Sequence, residues 1–430
     1  MKRRKRALWA GTSLVVLVLA YYVGGNALAQ SKEKAVDQTL ARLRLDRSSL
    51  FTRYPAAERN ATATMLSDLV APGEGSLGLR GTVRTPPWPQ GWAVLDEDLD
   101  KATDEVALLP EAVRGYLAGN AGRLSTAYRQ VRDERPRWEM NLGELERAPV
   151  PNLLEQKAIA NVILIDCLNK TQQGRSSEAL EAFESEWRIN QSLRERPELI
   201  SQLSAISIDE KLGKMIRKLR EVPAVWQQRL VAHDYRKSVQ ESLIFDAWLL
   251  QASVKRSPEV MFSPDWGPAV RGIASKLGEP CIRLMAIESL EAVLTSVAAV
   301  SERDYCSTEF GFANSVLKNR LSWWNSLGRR AIANVDAGLR VSNVAVLEME
   351  AAQKILRVKE MAAQVGSGRL PRDVSGLESS LYENARWDYR VTADDEFSIK
   401  FSREVSYIKG YWLRPEEILG VTWHLKPSAG

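Results

Sequence analysis

Few side chains in this chain are of the types that usually perform chemistry. It has two histidines, His233 and His424, and three cysteines, and none stands in a spacing such as His-Glu-x-x-His or Cys-x-x-Cys. Residues 73–78 fit the pattern Gly-x-Gly-x-x-Gly, but a dinucleotide site needs a strand before that pattern and a helix after it. Here a helical pattern precedes and a proline-rich stretch follows, so these glycines indicate a linker. We predict no catalytic residue, no metal site and no cofactor.

Two other features are of the kind that binds a partner. Trp323 and Trp324 are adjacent, and neighbours on a helix point about 100° apart, so only one can lie deep in a core. Residues 211–220 form a basic amphipathic stretch that could contact lipid headgroups or an acidic protein, and a solvated helix face is the alternative. The candidate interaction surface therefore consists of Trp323, Trp324, Lys214, Arg217 and Lys218.

The N-terminus has the pattern of a membrane anchor. Five basic residues at positions 2–6 precede 17 uncharged residues at 7–23, which as a helix would be roughly 26 Å long, enough for a bilayer core. Basic residues before such a helix stay in the cytoplasm. We therefore expect a single-pass protein of the bacterial inner membrane, with its body periplasmic or extracytoplasmic. Ala27-Leu28-Ala29 fits a signal-peptidase site, so secretion after cleavage near Ala29 is the alternative.

The charge of the remaining chain excludes one class of partner. The net charge of +5 equals the five basic residues at positions 2–6, and the rest contains 54 basic and 54 acidic side chains. A protein that binds nucleic acid through its backbone phosphates carries an excess of basic residues. We therefore expect no nucleic-acid partner.

Hydrophobic periodicity predicts a mainly α fold. Residues 31–47 have the pattern of a polar, charged helix that continues from the anchor. Nine further helical segments are predicted, at about 56–69, 95–132, 153–170, 178–193, 197–219, 236–254, 280–300, 310–335 and 343–365. Alternating residues at 387–391 and 397–401 around a polar turn predict a β-hairpin. The expected organisation is an anchor or signal peptide (1–29), membrane-proximal helices (30–70), a Pro/Gly-rich linker (71–94), a body of αα-hairpins (95–365) and a small β-containing segment (366–430).

Several short motifs of packing and turn residues carry a resemblance. They lie at 53–56, 60–63, 151–154, 174–182, 196–203 and 368–371, and the most specific is Arg-Pro-Glu-Leu-Ile-Ser-Gln-Leu at 196–203. With the basic anchor, they resemble a group of membrane-anchored helical proteins of environmental bacteria such as acidobacteria and planctomycetes. The final segment, in which Gly-Arg-Leu-Pro follows a long helix, resembles the end of pseudopilins. The resemblance implies an anchored helical protein and brings no catalytic residue to this chain.

These observations favour an interaction or scaffold protein of the cell envelope, because stacked helices build broad binding surfaces and no catalytic constellation is recognised. The expected partners are the lipid bilayer, through the N-terminal helix, and an envelope protein. Envelope-glycan binding or hydrolysis is the alternative, because exposed members of the 13 tryptophans could stack on sugars and two of the 54 acidic residues could act as a catalytic pair. That activity would require a cleft with an exposed tryptophan and two carboxyl groups about 5–10 Å apart. A pseudopilin-like component of a secretion or pilus machine would require the C-terminal hairpin to pack on the helix at 343–365.

Overall fold

The fold is seen in a computed structural model of the 430-residue chain. It describes the backbone of residues 2–19 and, beyond them, residues 20–70, 88–99, 108–219, 221–261, 268–301, 315, 321–322, 325–365, 370–393, 395–403, 405 and 420–424.

Helices make up most of this part of the chain. The α-helices in chain order are α1 (Lys2–Leu43), α2 (Arg47–Arg53), α3 (Ala61–Val70), α4 (Trp92–Leu99), α5 (Glu111–Asp133), α6 (Leu153–Gln172), α7 (Ser176–Arg194), α8 (Leu199–Lys218), α9 (Val225–Val231), α10 (Tyr235–Arg256), α11 (Pro268–Ser301) and α12 (Ser326–Val365). Two 3-10 helices lie at Leu142–Arg147 and Pro258–Met261. The strands are β1 (Trp387–Val391), β2 (Glu396–Phe401) and β3 (Gly420–His424).

The centre of the body is built around α8. Helices α6 and α7 form the predicted hairpin, which turns at Gly174, whose φ of 71° lies in the left-handed region that favours glycine. Helix α8 packs against this hairpin on one side and against α12 on the other. The 40-residue α12 also lies along α9, α10 and α11. Both faces of α8 are therefore covered.

Helix α1 joins the body through α11. Asn26 accepts a hydrogen bond from Arg283 at 3.4 Å, and Lys32 pairs with Glu291 at 2.8 Å. Positions along both helices increase together through these contacts, so the two helices run parallel. Ala29 and Leu40 of α1 are buried. The second half of α1 is thus part of the folded body.

Within the part of the chain whose side chains are described, no helix has both the length and the hydropathy needed to cross a lipid bilayer. The side chains of residues 1–19, which make up most of the predicted anchor, lie outside that part, as does most of the linker predicted at 71–94.

The C-terminal segment forms an antiparallel sheet in the order β1-β2-β3. The register of β1 and β2 pairs Trp387 with Phe401, which confirms the predicted hairpin, and β3 adds a third strand. This unit docks on α12, where the buried Trp387 donates from Nε1 to Glu350 at 3.2 Å.

Three helix boundaries differ from the sequence prediction. Helix α11 begins at Pro268 and continues through Pro280, where a start was predicted. Helix α12 is unbroken across the gap predicted at 336–342. The long helix predicted at 95–132 is instead two helices, α4 and α5, with Pro110 directly before α5. In each case, the predicted boundary came from the sequence pattern of a single segment, which carries no information about packing between helices.

Candidate functional site

An open cleft of about 920 Å³ lies between α2 and α10. We call it the His233 cleft. One wall is α2 with the segment that follows it, the other is the first half of α10, and the end of α7 and the start of α8 form the floor. Its lining residues include Arg53, Trp138, Arg194, His233, Ser238 and Glu241.

The outer wall of the cleft is held by local hydrogen bonds. Asp46 caps α2 by accepting from the backbone N–H groups of Ser48 and Ser49, at 3.0 and 3.2 Å. After α2 the chain is extended, and Ala57 exchanges two backbone hydrogen bonds of 2.9 Å with Met140. The wall is therefore formed before any partner binds.

His233 lies in the cleft just before α10. Its Nε2 is 3.2 Å from Ser238 Oγ, and burial followed by the nearby Arg194 lowers its pKa to about 4, so the ring is neutral near pH 7. A neutral histidine beside a serine is the core of a nucleophilic dyad, but such dyads need a carboxylate that orients the ring. The adjacent Asp234 instead caps α10 by accepting from Lys237 N at 3.0 Å. Among the described residues no carboxylate is hydrogen-bonded to this ring.

The floor of the cleft is a buried ionic cluster. Arg194 forms an ion pair with Asp209, which also accepts from the Tyr235 hydroxyl at 2.6 Å. The Arg194 guanidinium lies 4.2 Å from the ring centroid of Trp187. These contacts hold α7, α8 and α10 together, so the charge of Arg194 is balanced inside the protein.

A second arginine at the floor is also engaged by the protein. Arg196 donates to Glu198 at 2.7 and 3.0 Å and to the carbonyl oxygens of Glu139 and Pro149, each at 3.0 Å. This residue starts the motif at 196–203. Its role is to tie the segments on both sides of the 3-10 helix Leu142–Arg147 to the start of α8.

The rim of the cleft carries solvent-exposed charges of both signs. Arg53 of α2 pairs with Glu241 of α10 at 2.8 Å across the opening, and Lys237 is exposed one helical turn away. An exposed pair of this kind contributes at most about 1 kcal/mol to stability, so its charges can be redirected to a bound partner at little cost.

Three residues of the predicted interaction surface lie in the interior instead of on the surface. Lys214, Arg217 and Lys218 are only 6%, 0% and 2% exposed, because α8 is covered on both faces. Arg217 forms an ion pair with Glu348 of α12 and donates to its carbonyl oxygen at 3.0 Å. These cations belong to the interior and offer no docking surface.

The sequence carries a signal for this partner, although our prediction missed it. Glu348 and Glu350 stand within the otherwise apolar run 344–352, which is the pattern of acids that face buried cations. The other two residues of the candidate surface, Trp323 and Trp324, lie outside the described residues.

A buried carboxyl group in α7 was also missed. Glu186 is fully buried, and neither of its carboxyl oxygens has a hydrogen-bond partner in the described structure. Burial, with a smaller contribution from Asp209, raises its pKa well above the usual value. Glu186 follows Phe183 by three residues and precedes Trp187, so it lies on the apolar face predicted for this helix.

The tryptophan arrangement does not match the cleft expected of a glycan site. Trp138, the tryptophan of the His233 cleft, is 4% exposed and donates from Nε1 to Ser192 at 2.8 Å. Trp88 is half-buried and stacks on Trp92 at 4.5 Å. The buried tryptophans outside the cleft are Trp92, Trp187, Trp226, Trp248 and Trp387. Large apolar side chains in the core account for these positions. The described side chains also contain no group of three or more potential metal ligands.

Comparisons with protein-family models, curated proteins and solved structures give no match for this chain.

Proposed function

We propose that this protein is anchored in the bacterial inner membrane by the first half of α1 and binds an envelope protein in the His233 cleft. The observation that carries the binding proposal is the cleft itself. Its walls are held by capped helices and backbone hydrogen bonds, its buried ions are paired within the fold, and only its rim offers exposed charges. A preformed cleft with a mixed-charge rim suits binding better than catalysis.

The continuity of α1 supports anchoring over secretion. The helix runs from Lys2 to Leu43 through the two glycines at 24 and 25. Ala29, at the alternative cleavage position, is fully buried in the contact with the body. Cleavage after Ala29 would remove this buried residue together with the Asn26–Arg283 hydrogen bond and the close approach of Gly25 to Pro280, whereas retention keeps these contacts. We therefore expect the chain purified from membranes to retain residues 1–29.

Site-specific cross-linking in the native membrane tests the partner. A photo-reactive residue at Lys237, on the rim, is compared with one at Lys400, an exposed position on β2 outside the cleft. We expect one protein to be captured from Lys237 in stoichiometric yield and not from Lys400. Equal capture from both positions, or none from Lys237, contradicts the proposal. The N-terminus of the same preparation, read by mass spectrometry, decides between anchor and cleavage.

A second candidate function has one specific observation in its favour. The C-terminal sheet packs on α12 through Trp387 and Glu350, which is the contact that a pseudopilin-like unit requires. The helix in that unit is α12, however, and not the one that carries the predicted anchor. In the cross-linking experiment, capture of a secretion or pilus subunit from Lys400 favours this candidate over binding in the cleft.

A further inference from the structure

The first turns of α11 have the reverse of the usual polarity. Val270, Ile273 and Leu277 are 57%, 63% and 61% exposed, and their spacing places them in one stripe along the helix. Ser275 in the same turns is only 4% exposed and donates to the carbonyl oxygen of Gly272 at 3.0 Å. A surface helix of a water-soluble body turns its polar residues outward. This stretch therefore has the polarity of a helix that faces an apolar medium.

The same stretch lies beside the predicted anchor. Helices α1 and α11 run parallel, and Gly25 packs against the ring of Pro280. Leu277 and Ile273 precede Pro280 by three and seven residues, or roughly 5 and 10 Å along the axis. An equal step back from Gly25 reaches residues 22 and 18 of α1, which belong to the predicted membrane span at 7–23.

Other exposed apolar residues cluster at this end of the two helices. Tyr21, Val23 and Leu28 of α1 are 45%, 70% and 51% exposed. These three and the α11 stripe are six of the fifteen large apolar side chains that are exposed in the described structure. Exposed apolar side chains grouped along two adjacent helices indicate contact with a membrane or a protein, and their alignment with the anchor selects the membrane.

We propose that residues 269–279 of α11 insert beside the anchor into the outer leaflet, with Val270, Ile273 and Leu277 in contact with lipid. This inference rests on the proposed anchor. Arg271, Lys276 and Glu279 make the segment too polar to cross the bilayer. Lys276 is exposed at the edge of the stripe, and its long side chain can reach the headgroups.

Insertion at a second point fixes the orientation of the body. A single helix leaves the body free to tilt relative to the membrane. Two parallel helices, joined by Lys32–Glu291 and Arg283–Glu33 ion pairs, hold it at one angle and height. The His233 cleft is then presented to its partner at a fixed distance from the bilayer.

Photo-cross-linking to lipid tests this inference in the full-length chain. The chain is reconstituted into vesicles of phosphatidylethanolamine and phosphatidylglycerol, with p-benzoylphenylalanine placed at one position at a time. The test variants are Ile273→p-benzoylphenylalanine and the equivalent at Leu277. Leu154 on α6, which is 50% exposed, is the matched control outside the stripe, and Leu17 reports on the anchor. We expect lipid adducts, seen as a mass shift, from Ile273, Leu277 and Leu17 but not from Leu154.

The outcomes separate the two proposals. Lipid adducts from Leu17, with Ile273 and Leu277 no higher than Leu154, overturn insertion of α11 and leave the anchor standing. No adduct from Leu17 contradicts the anchor, and insertion is overturned with it. Adducts of equal yield from all four positions indicate nonspecific contact and also overturn the inference.

Discussion

Burial of ionisable side chains in this protein follows two different arrangements. Arg194 and Arg217 each face a carboxylate on a neighbouring helix, Asp209 and Glu348, so that their charges are compensated. Among the described residues Glu186 has no such partner, and burial raises the pKa of its carboxyl group well above the usual value. Removing one member of a buried ion pair costs about 3–5 kcal/mol, whereas an unpaired carboxyl group lowers stability whenever the pH favours its ionisation.

The substitution Glu186→Gln is therefore expected to stabilise the protein at neutral pH. The pKa of Glu186 is raised in the folded state, so its contribution to stability is fully present below the unfolded pKa near 4.5 and is lost as the pH rises through the folded pKa. Glutamine does not ionise and avoids that loss. We expect Glu186→Gln to be more stable than the parent at pH 7, and we expect this gain to shrink to nothing as the pH falls to 4, because the glutamate is then protonated in both the folded and the unfolded state.

Urea unfolding of both proteins between pH 4 and 8 measures this difference. Glu181→Gln is the control, because Glu181 is exposed on the same helix and pairs with Arg132 at 3.0 Å. It should change stability by less than about 1 kcal/mol at every pH. A gain for Glu186→Gln that does not depend on pH would show that the carboxyl group is already ionised in the folded protein.

At the level of elements, periodicity predicted the helices wherever one face of each helix contacts the core. The hairpin of α6 and α7, the span of α10 and the register-forming alternation of β1 and β2 are examples. Prediction failed where contacts between elements distant in the sequence decide the outcome. Helix α12 continues through Gly338, where α10 packs closely against it. A Cβ atom on Gly338 would lie 3.2 Å from the side chain of Val239 in α10.

The cleft and the buried basic stretch could not be predicted for the same reason. The two walls of the His233 cleft are separated by about 180 residues of sequence, and Glu348 follows Arg217 by 131 residues. A basic stripe on a helix has the same sequence pattern whether it faces water or a buried acid. In this protein α12 covers the basic side of α8, and the sequence of α8 alone does not indicate that contact.

The contact of α1 with α11 can be tested with two adjacent glycines. A Cβ on Gly25 would lie 2.9 Å from Cβ of Pro280, a rigid ring atom, whereas a Cβ on Gly24 would have no neighbour within 4 Å. Gly25→Leu is therefore expected to force the helices apart, and Gly24→Leu to leave them together. Both variants gain the same helix propensity of about 1 kcal/mol, so the difference between them reports the packing.

Hydrogen exchange of the full-length chain in detergent reads out this contact. Amides of α1 between residues 26 and 43 should exchange faster in Gly25→Leu, while those of α6 and α7 keep their protection. Equal exchange in the two variants would show that α1 does not need close contact at Gly25 to stay docked.

For the whole molecule, α12 is the element that connects the body to the C-terminal unit. This helix packs on α8, α10 and α11 of the body. Its residue Glu350 accepts hydrogen bonds from the segment that leads into β1. Glu350 accepts from Ser379 Oγ at 2.8 Å, from Ser380 N at 2.6 Å and from Trp387 Nε1 at 3.2 Å. One buried carboxylate therefore fixes the position of the sheet.

Glu350→Ala should release the C-terminal unit without unfolding the body. The variant leaves the hydroxyl of Ser379, the backbone N–H of Ser380 and the indole N–H of Trp387 without their acceptor. Trp387 is buried, and an unsatisfied buried donor costs about 1–3 kcal/mol, whereas the two serines can bind water instead. Amides in 377–401 are expected to exchange roughly ten- to a hundredfold faster, because a local loss of about 1–3 kcal/mol raises the open population by that order. Helices α6, α7 and α8 should keep their protection.

Glu383→Ala, at an exposed position before β1, is the control and should change neither region. If α6–α8 lose protection together with the sheet, the body and the C-terminal unit unfold as one, and α12 does not act as a boundary between them.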